Sequence, residues 1–168
     1  TPTKLDIPGA ELAITSDEAF ALPQRPERVI MIGSGYIGIE FAGIFAGLGS
    51  QVDLVYRRDL PLRGFDEDMR TALADAIDAR GITQHRHANP TSITRNGAEL
   101  VLTLDNGQTL RADCIFMATG RRPKIDALGL GKTSITTADN GRIQVDGNSE
   151  PAHPCIYAIG DVTDRITL

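Results

Sequence analysis

The sequence predicts an α/β fold: a parallel sheet covered by helices, with an inserted antiparallel three-stranded meander. Three observations lead there. The apolar run Val29-Ile30-Met31-Ile32 leads directly into Gly33-Ser34-Gly35-Tyr36-Ile37-Gly38, a G-x-G-x-x-G spacing. An amphipathic segment and a second apolar run, Val52-Asp53-Leu54-Val55-Tyr56, follow at the distance expected of one βαβ unit. Later, Asn96-Gly97 and Asn106-Gly107 separate short alternating runs, as in hairpins.

The first unit has a chemical reading. Gly33 permits a tight turn, Gly35 lets a phosphate approach the backbone, and Gly38 lets the helix pack closely on its strand. The free N–H groups and positive dipole end of that helix favour an anion. Gly33, Gly35, Tyr36, Ile37 and Gly38 are therefore candidate dinucleotide-binding positions in a Rossmann-like unit. The apolar period places Ile37, Phe41, Ile44, Phe45 and Leu48 on one face, and Gly49 stops the helix.

A second helix runs from the cap Asp66 through Arg80 to the stop Gly81, with Met69, Leu73, Ala76 and Ile77 as its buried stripe. A strand runs over about 82–86; His85 and His87 alternate along it, so both could face one way, but two histidines without a third ligand make a poor zinc site. The meander strands fall at 91–94, 99–104 and 108–111. A strand over 114–118 then ends in Thr119-Gly120. Beyond it, a hairpin pair at 135–137 and 142–145 surrounds Asp139-Asn140-Gly141, and the apolar run 155–161 reads as a strand closing on Gly160-Asp161.

The end of the second strand selects the dinucleotide. A site for the non-phosphorylated cofactor places an acid there to hold the ribose 2′-OH. Here the strand ends in Tyr56-Arg57-Arg58, and Arg63 follows. A guanidinium donates two parallel charge-assisted hydrogen bonds to a phosphate monoester, which a carboxylate repels. Arg57 and Arg63 thus favour NADPH over NADH, whereas Arg58 reads as a solvated charge. Asp53 is mid-strand and reads as structural; Asp59 sits in the loop.

Composition narrows the rest. An apolar share of 41% supports a packed core, and a net charge of −5 argues against nucleic acid as a general partner. No apolar run is long enough to span a bilayer. Cys114 and Cys155 are far apart; Cys114 lies in an apolar strand and reads as a buried, inert thiol. A cytoplasmic protein without disulfides is the expected setting.

Three motifs now coincide: Gly33 to Glu40, Ala118-Thr119-Gly120-Arg121-Arg122-Pro123, and Tyr157-Ala158-Ile159-Gly160-Asp161. Together they resemble the flavin-dependent pyridine nucleotide–disulfide oxidoreductases, in the family's own order and across essentially the whole chain. Ile7-Pro8-Gly9, Thr15-Ser16-Asp17 and Arg57 through Asp66 strengthen the likeness to its NADPH-using disulfide reductases. The resemblance implies that Arg57 and Arg63 hold the 2′-phosphate. It implies that Tyr36 covers the flavin and swings aside for the nicotinamide, and that Glu40 pairs with a lysine near the flavin. These two are the candidate catalytic residues. It also makes Gly120, Gly160 and Asp161 cofactor-binding positions, Asp161 toward the ribityl chain of FAD.

On this resemblance, residues 1–120 form an NADP(H)-binding domain and 121–168 the C-terminal segment of a split FAD-binding domain. The parent enzyme carries hydride from NADPH to FAD and electrons onward to glutathione disulfide, as a homodimer. A first FAD glycine motif, a C-x4-C pair and an interface domain are missing from these residues, so the chain by itself is expected to be inactive. A related member with another disulfide substrate, or a dinucleotide-binding module without chemistry of its own, stays open. Gly38 departs from the alanine frequent in NADPH-preferring members.

Overall fold

The computed structural model describes residues 1–163. They fall into two compact units, Pro2–Gly120 and Thr1 with residues 121–163.

The first unit has three layers. Its central sheet is parallel. Strand β1 (Arg28–Ile32) pairs with β2 (Gln51–Val55) on one side and β7 (Cys114–Met117) on the other, and β3 (Thr83–His85) lies outside β2. The spatial order β3-β2-β1-β7 puts the glycine turn at the end of an inner strand. Alternation divides β1 between two cores. Val29 and Met31 join Val52, Leu54 and Phe116 under helices α2 (Tyr36–Gly47) and α3 (Glu67–Ala79). Ile30 and Ile32 join Val55, Ile115 and Met117 against the meander β4 (Pro90–Asn96), β5 (Glu99–Leu104) and β6 (Thr109–Ala112). A sheet buried on both faces needs continuous apolar strands, which is how β1 and β7 read. The N-terminal segment extends the sheet edge: Ile14 bridges Phe116 in parallel. The short helix α1 (Ser16–Ala19) then starts in a Thr15–Glu18 capping box, whose hydrogen bonds hold the Glu18 carboxyl below its usual range.

The helix faces differ from the periodicity reading. On α2 the buried residues are Gly38, Ala42 and Phe45, whereas Ile44 and Leu48 are 50% and 62% exposed. The turn sets this rotation. A Cβ on Gly38 would lie 2.0 Å from the Gly33 carbonyl oxygen, so the helix can approach the sheet closely only through this glycine. A hydrophobic count gives glycine no weight and so misplaces the face. On α3, Ala74 and Ile77 are buried, and Met69 and Ala76 are exposed. Its cap is as expected: Asp66 accepts from the Asp68 and Met69 N–H groups, and Gly81 has φ +76°.

The histidines do not share a face. The strand ends at His85, which meets Asp53 at 2.6 Å, while His87 lies beyond it at φ +53°, 3.5 Å from Asp59. No group of three metal-ligating side chains occurs among the described residues. No helix among them is long and apolar enough to cross a membrane.

Cys114 is buried, and desolvation, with a smaller contribution from the Asp113 charge, pushes its thiol up to about 11. Cys155 is exposed. The folded chain is therefore expected to react quickly with an aromatic disulfide at Cys155 alone, and at both cysteines once denatured. Equal reaction rates at the two thiols in the folded chain would contradict this.

In the second unit, Thr137 bridges Ile143 antiparallel and Ile143 bridges Thr163, around buried Ile143, Ala158 and Thr163. The expected strand over 155–161 is not formed. Residues Gly160–Val162 make a 3-10 turn, with Tyr157 and Ile159 exposed. An apolar run becomes a strand only when a neighbour satisfies its backbone, and among the described residues no neighbouring strand pairs with it.

Candidate functional site

The site begins where β1 ends. The Gly33 N–H donates to the Val55 carbonyl at 2.9 Å, tying the turn to the end of β2. Gly33 has φ +108°, and a Cβ there would meet the Ala118 carbonyl oxygen at 2.4 Å. The turn is thus squeezed between the ends of β2 and β7. Gly35 is the opposite case: its φ is −73°, and a Cβ would meet nothing within 4 Å. It is the N-cap of α2 and supplies no side-chain cap, so the dipole end of a twelve-residue helix faces open space.

That space is a cleft of about 480 Å3. It is lined by the glycine turn from Gly33 to Tyr36 and by the segment after β2, with Tyr56, Arg57, Arg58, Leu62, Arg63 and Phe65. Ala118, Thr119 and Gly120 line it as well, as do Ala88, Asn89 and Pro90. Three guanidinium-bearing residues line the cleft, and among the described residues no carboxylate does. Both acids near the segment are turned elsewhere: Asp53 meets His85, and Asp59 lies near His87.

Helix α3 and β3 hold the arginine segment from both flanks. The Tyr56 hydroxyl donates to Gln84 Oε1 at 2.7 Å, and Gln84 Nε2 donates to the Ala74 carbonyl and to Asp78. Burial pushes the Tyr56 hydroxyl up, which keeps it a donor. On the other flank, Arg70 Nε donates to the Pro61 carbonyl at 2.7 Å and Nη2 to the Leu60 carbonyl at 3.0 Å. Between them the Leu62 N–H donates to the Ser34 carbonyl at 2.9 Å, joining the loop to the glycine turn.

Among the residues singled out from sequence, Gly33, Gly35, Tyr36, Arg57, Arg63 and Gly120 line this one cleft. Ile37 and Gly38 instead seat α2 on the sheet. Glu40 is exposed on α2, outside the cleft wall. Gly160 and Asp161 belong to the other unit. Arg58, read as a bystander, also lines the cleft. Sequence reasoning missed Ala88 to Pro90 and Arg70. None of these carries a local motif; they converge only through the tertiary fold.

Strand order, glycine turn and cleft define a dinucleotide-fold α/β protein with an added antiparallel layer. The chain belongs to the pyridine nucleotide-disulphide oxidoreductase family, which it matches over residues 1–168. Members of that family use FAD and NAD(P)H and act on disulfides. The chain is 45% identical to trypanothione reductase of Leishmania donovani, over 99% of its length and 35% of the relative's. It is 41% identical to glutathione reductase of Burkholderia cepacia, over 99% of its length and 37% of the relative's. It therefore spans little more than a third of these curated relatives. Among solved structures, the HOCl-induced flavoprotein disulfide reductase RclA of Escherichia coli superposes with a TM-score of 0.93 at 26% identity, covering 100% of this chain and 39% of that one. An engineered water-forming NADPH oxidase bound to NADPH gives a TM-score of 0.85 at 26% identity, covering 97% of this chain and 37% of that one.

Proposed function

We propose that this chain is the NADPH-binding portion of a glutathione reductase, with residues 1–120 holding NADP(H) and 121–168 contributing to its FAD-binding domain. The observation that carries this is that Arg57 and Arg63 line the same cleft as Gly33 and Gly35, where no carboxylate among the described residues opposes them. The pyrophosphate would take the Gly35 opening at the start of α2, and the 2′-phosphate the arginine wall. The engineered NADPH oxidase adds support: its introduced arginines stand six positions apart, the spacing of Arg57 and Arg63. By the same spacing its glycine-to-alanine change falls at Gly38, where this chain keeps glycine.

In the whole protein, bound NADPH would supply hydride and bound FAD would take it up, for delivery through a disulfide to glutathione disulfide. Tyr36, at the cleft mouth and 44% exposed, would shield the flavin and yield to the nicotinamide. Glu40 would pair with a lysine near the flavin, and Gly120, Gly160 and Asp161 would meet the cofactors. The 45% identity to a trypanothione reductase supports a second reading of the disulfide substrate. Turnover of the whole protein with each disulfide separates the two.

The binding half is tested on the chain itself by titration with both cofactors. NADPH is expected to bind at least about tenfold more tightly than NADH, the worth of one charge-assisted contact. Equal affinities would remove the assignment.

A further inference from the structure

We propose that Arg70 is a positioning residue for cofactor selection: it fixes the loop between Arg57 and Arg63 so that both guanidinium groups stay on the cleft wall. The inference rests on the reading that those two arginines meet a 2′-phosphate.

Arg70 does not line the cleft. Its guanidinium instead grips two successive loop carbonyls, with Nε on Pro61 and Nη2 on Leu60. Two donors in a fixed planar fork set the direction of both carbonyls, and hence the path of the backbone between the two arginines. The loop needs such an anchor. Leu62 has φ +48°, a conformation a non-glycine residue adopts only at a cost. The next residue is Arg63. The Leu62 N–H also bonds Ser34, so the same grip sets the loop against the glycine turn.

The frame behind Arg70 is firm. Asp66 caps α3 four residues earlier, and Ala74 and Ile77 bury the helix in the sheet core. Pro61 is fully buried and ties the loop to the core, but its burial does not fix the direction of the Leu60 and Pro61 carbonyls. Losing the fork should therefore loosen the path of the loop and leave the fold intact. Apparent affinity then falls by the fraction of molecules in which the arginines are correctly placed.

The test compares the parent chain with Arg70→Leu and Arg70→Lys. Amide exchange at Leu62 reads the grip, and dissociation constants for NADPH and NADH read its consequence. Arg70→Leu should speed Leu62 exchange and weaken NADPH about tenfold while leaving NADH unchanged, as when the competent fraction falls to about a tenth. Arg70→Lys, with charge but no planar fork, should fall between the two. If Arg70→Leu does not fold, Arg70→Gln carries the same comparison. Unaltered Leu62 exchange overturns the proposal, as does an equal loss of both cofactors or an unchanged preference. A parent chain without any preference for NADPH removes the underlying reading and this inference with it, whatever Leu62 does.

Discussion

Exchanging Arg57 for Glu and Arg63 for Leu in one chain is expected to invert the cofactor preference. Each lost contact to the 2′-phosphate removes about 1.5–3 kcal/mol, so the pair weakens NADPH by about two orders of magnitude or more. The new carboxylate at position 57 repels the phosphate and accepts from a free 2′-OH, so NADH holds or improves. The fold should not change, because both side chains are exposed and neither seats an element. The measurement is the ratio of the two dissociation constants in variant and parent. An unaltered ratio means that the cleft wall does not read the 2′ position.

The second large effect separates two glycines two residues apart. Gly33→Ala forces a Cβ to 2.4 Å from the Ala118 carbonyl oxygen at a φ of +108°, so either β7 or the turn must move. Overpacking and backbone strain together are expected to destabilise the chain by about 2–5 kcal/mol. Gly35→Ala meets nothing within 4 Å and has an ordinary φ, so it should melt like the parent. Its methyl group instead enters the open space before α2 and should weaken both cofactors alike. Thermal melts and cofactor titrations on the two variants give the result. A Gly35→Ala chain that binds normally would show that the pyrophosphate does not use this opening.

Much of this was legible in the sequence because the signals are local. Val29 to Gly38 encodes strand, turn and helix start in ten residues; Asp66 and Gly81 bracket α3; and Asn96-Gly97 and Asn106-Gly107 mark the meander turns. What failed depended on partners. Ile44 and Leu48 were assigned to the core because a period count weighs apolar side chains, whereas packing here is decided by the side chain that Gly38 lacks. Met69, in the stripe the period predicts for α3, is exposed as well. The apolar residues around Ile156 have strand chemistry but no strand beside them among the described residues. In the site, Arg57 and Arg63 were legible from chemistry and position. Arg70 was not, because its role exists only once α3 lies beside the loop at Leu60 and Pro61.

The β1–β7 pairing has a kinetic consequence. Strands β1 to β3 and their helices join neighbours along the chain, but Val29 pairs with Cys114 and Ile32 with Met117 only after the meander has been made. Such distant closures carry the largest loop entropy and come late. Ala118 to Gly120, one wall of the cleft, arrive with that closure. A nascent chain therefore exposes the glycine turn and the arginine wall before it can complete the cleft between them. A ligand that binds only the finished cleft adds its free energy to the seam that was slowest to form.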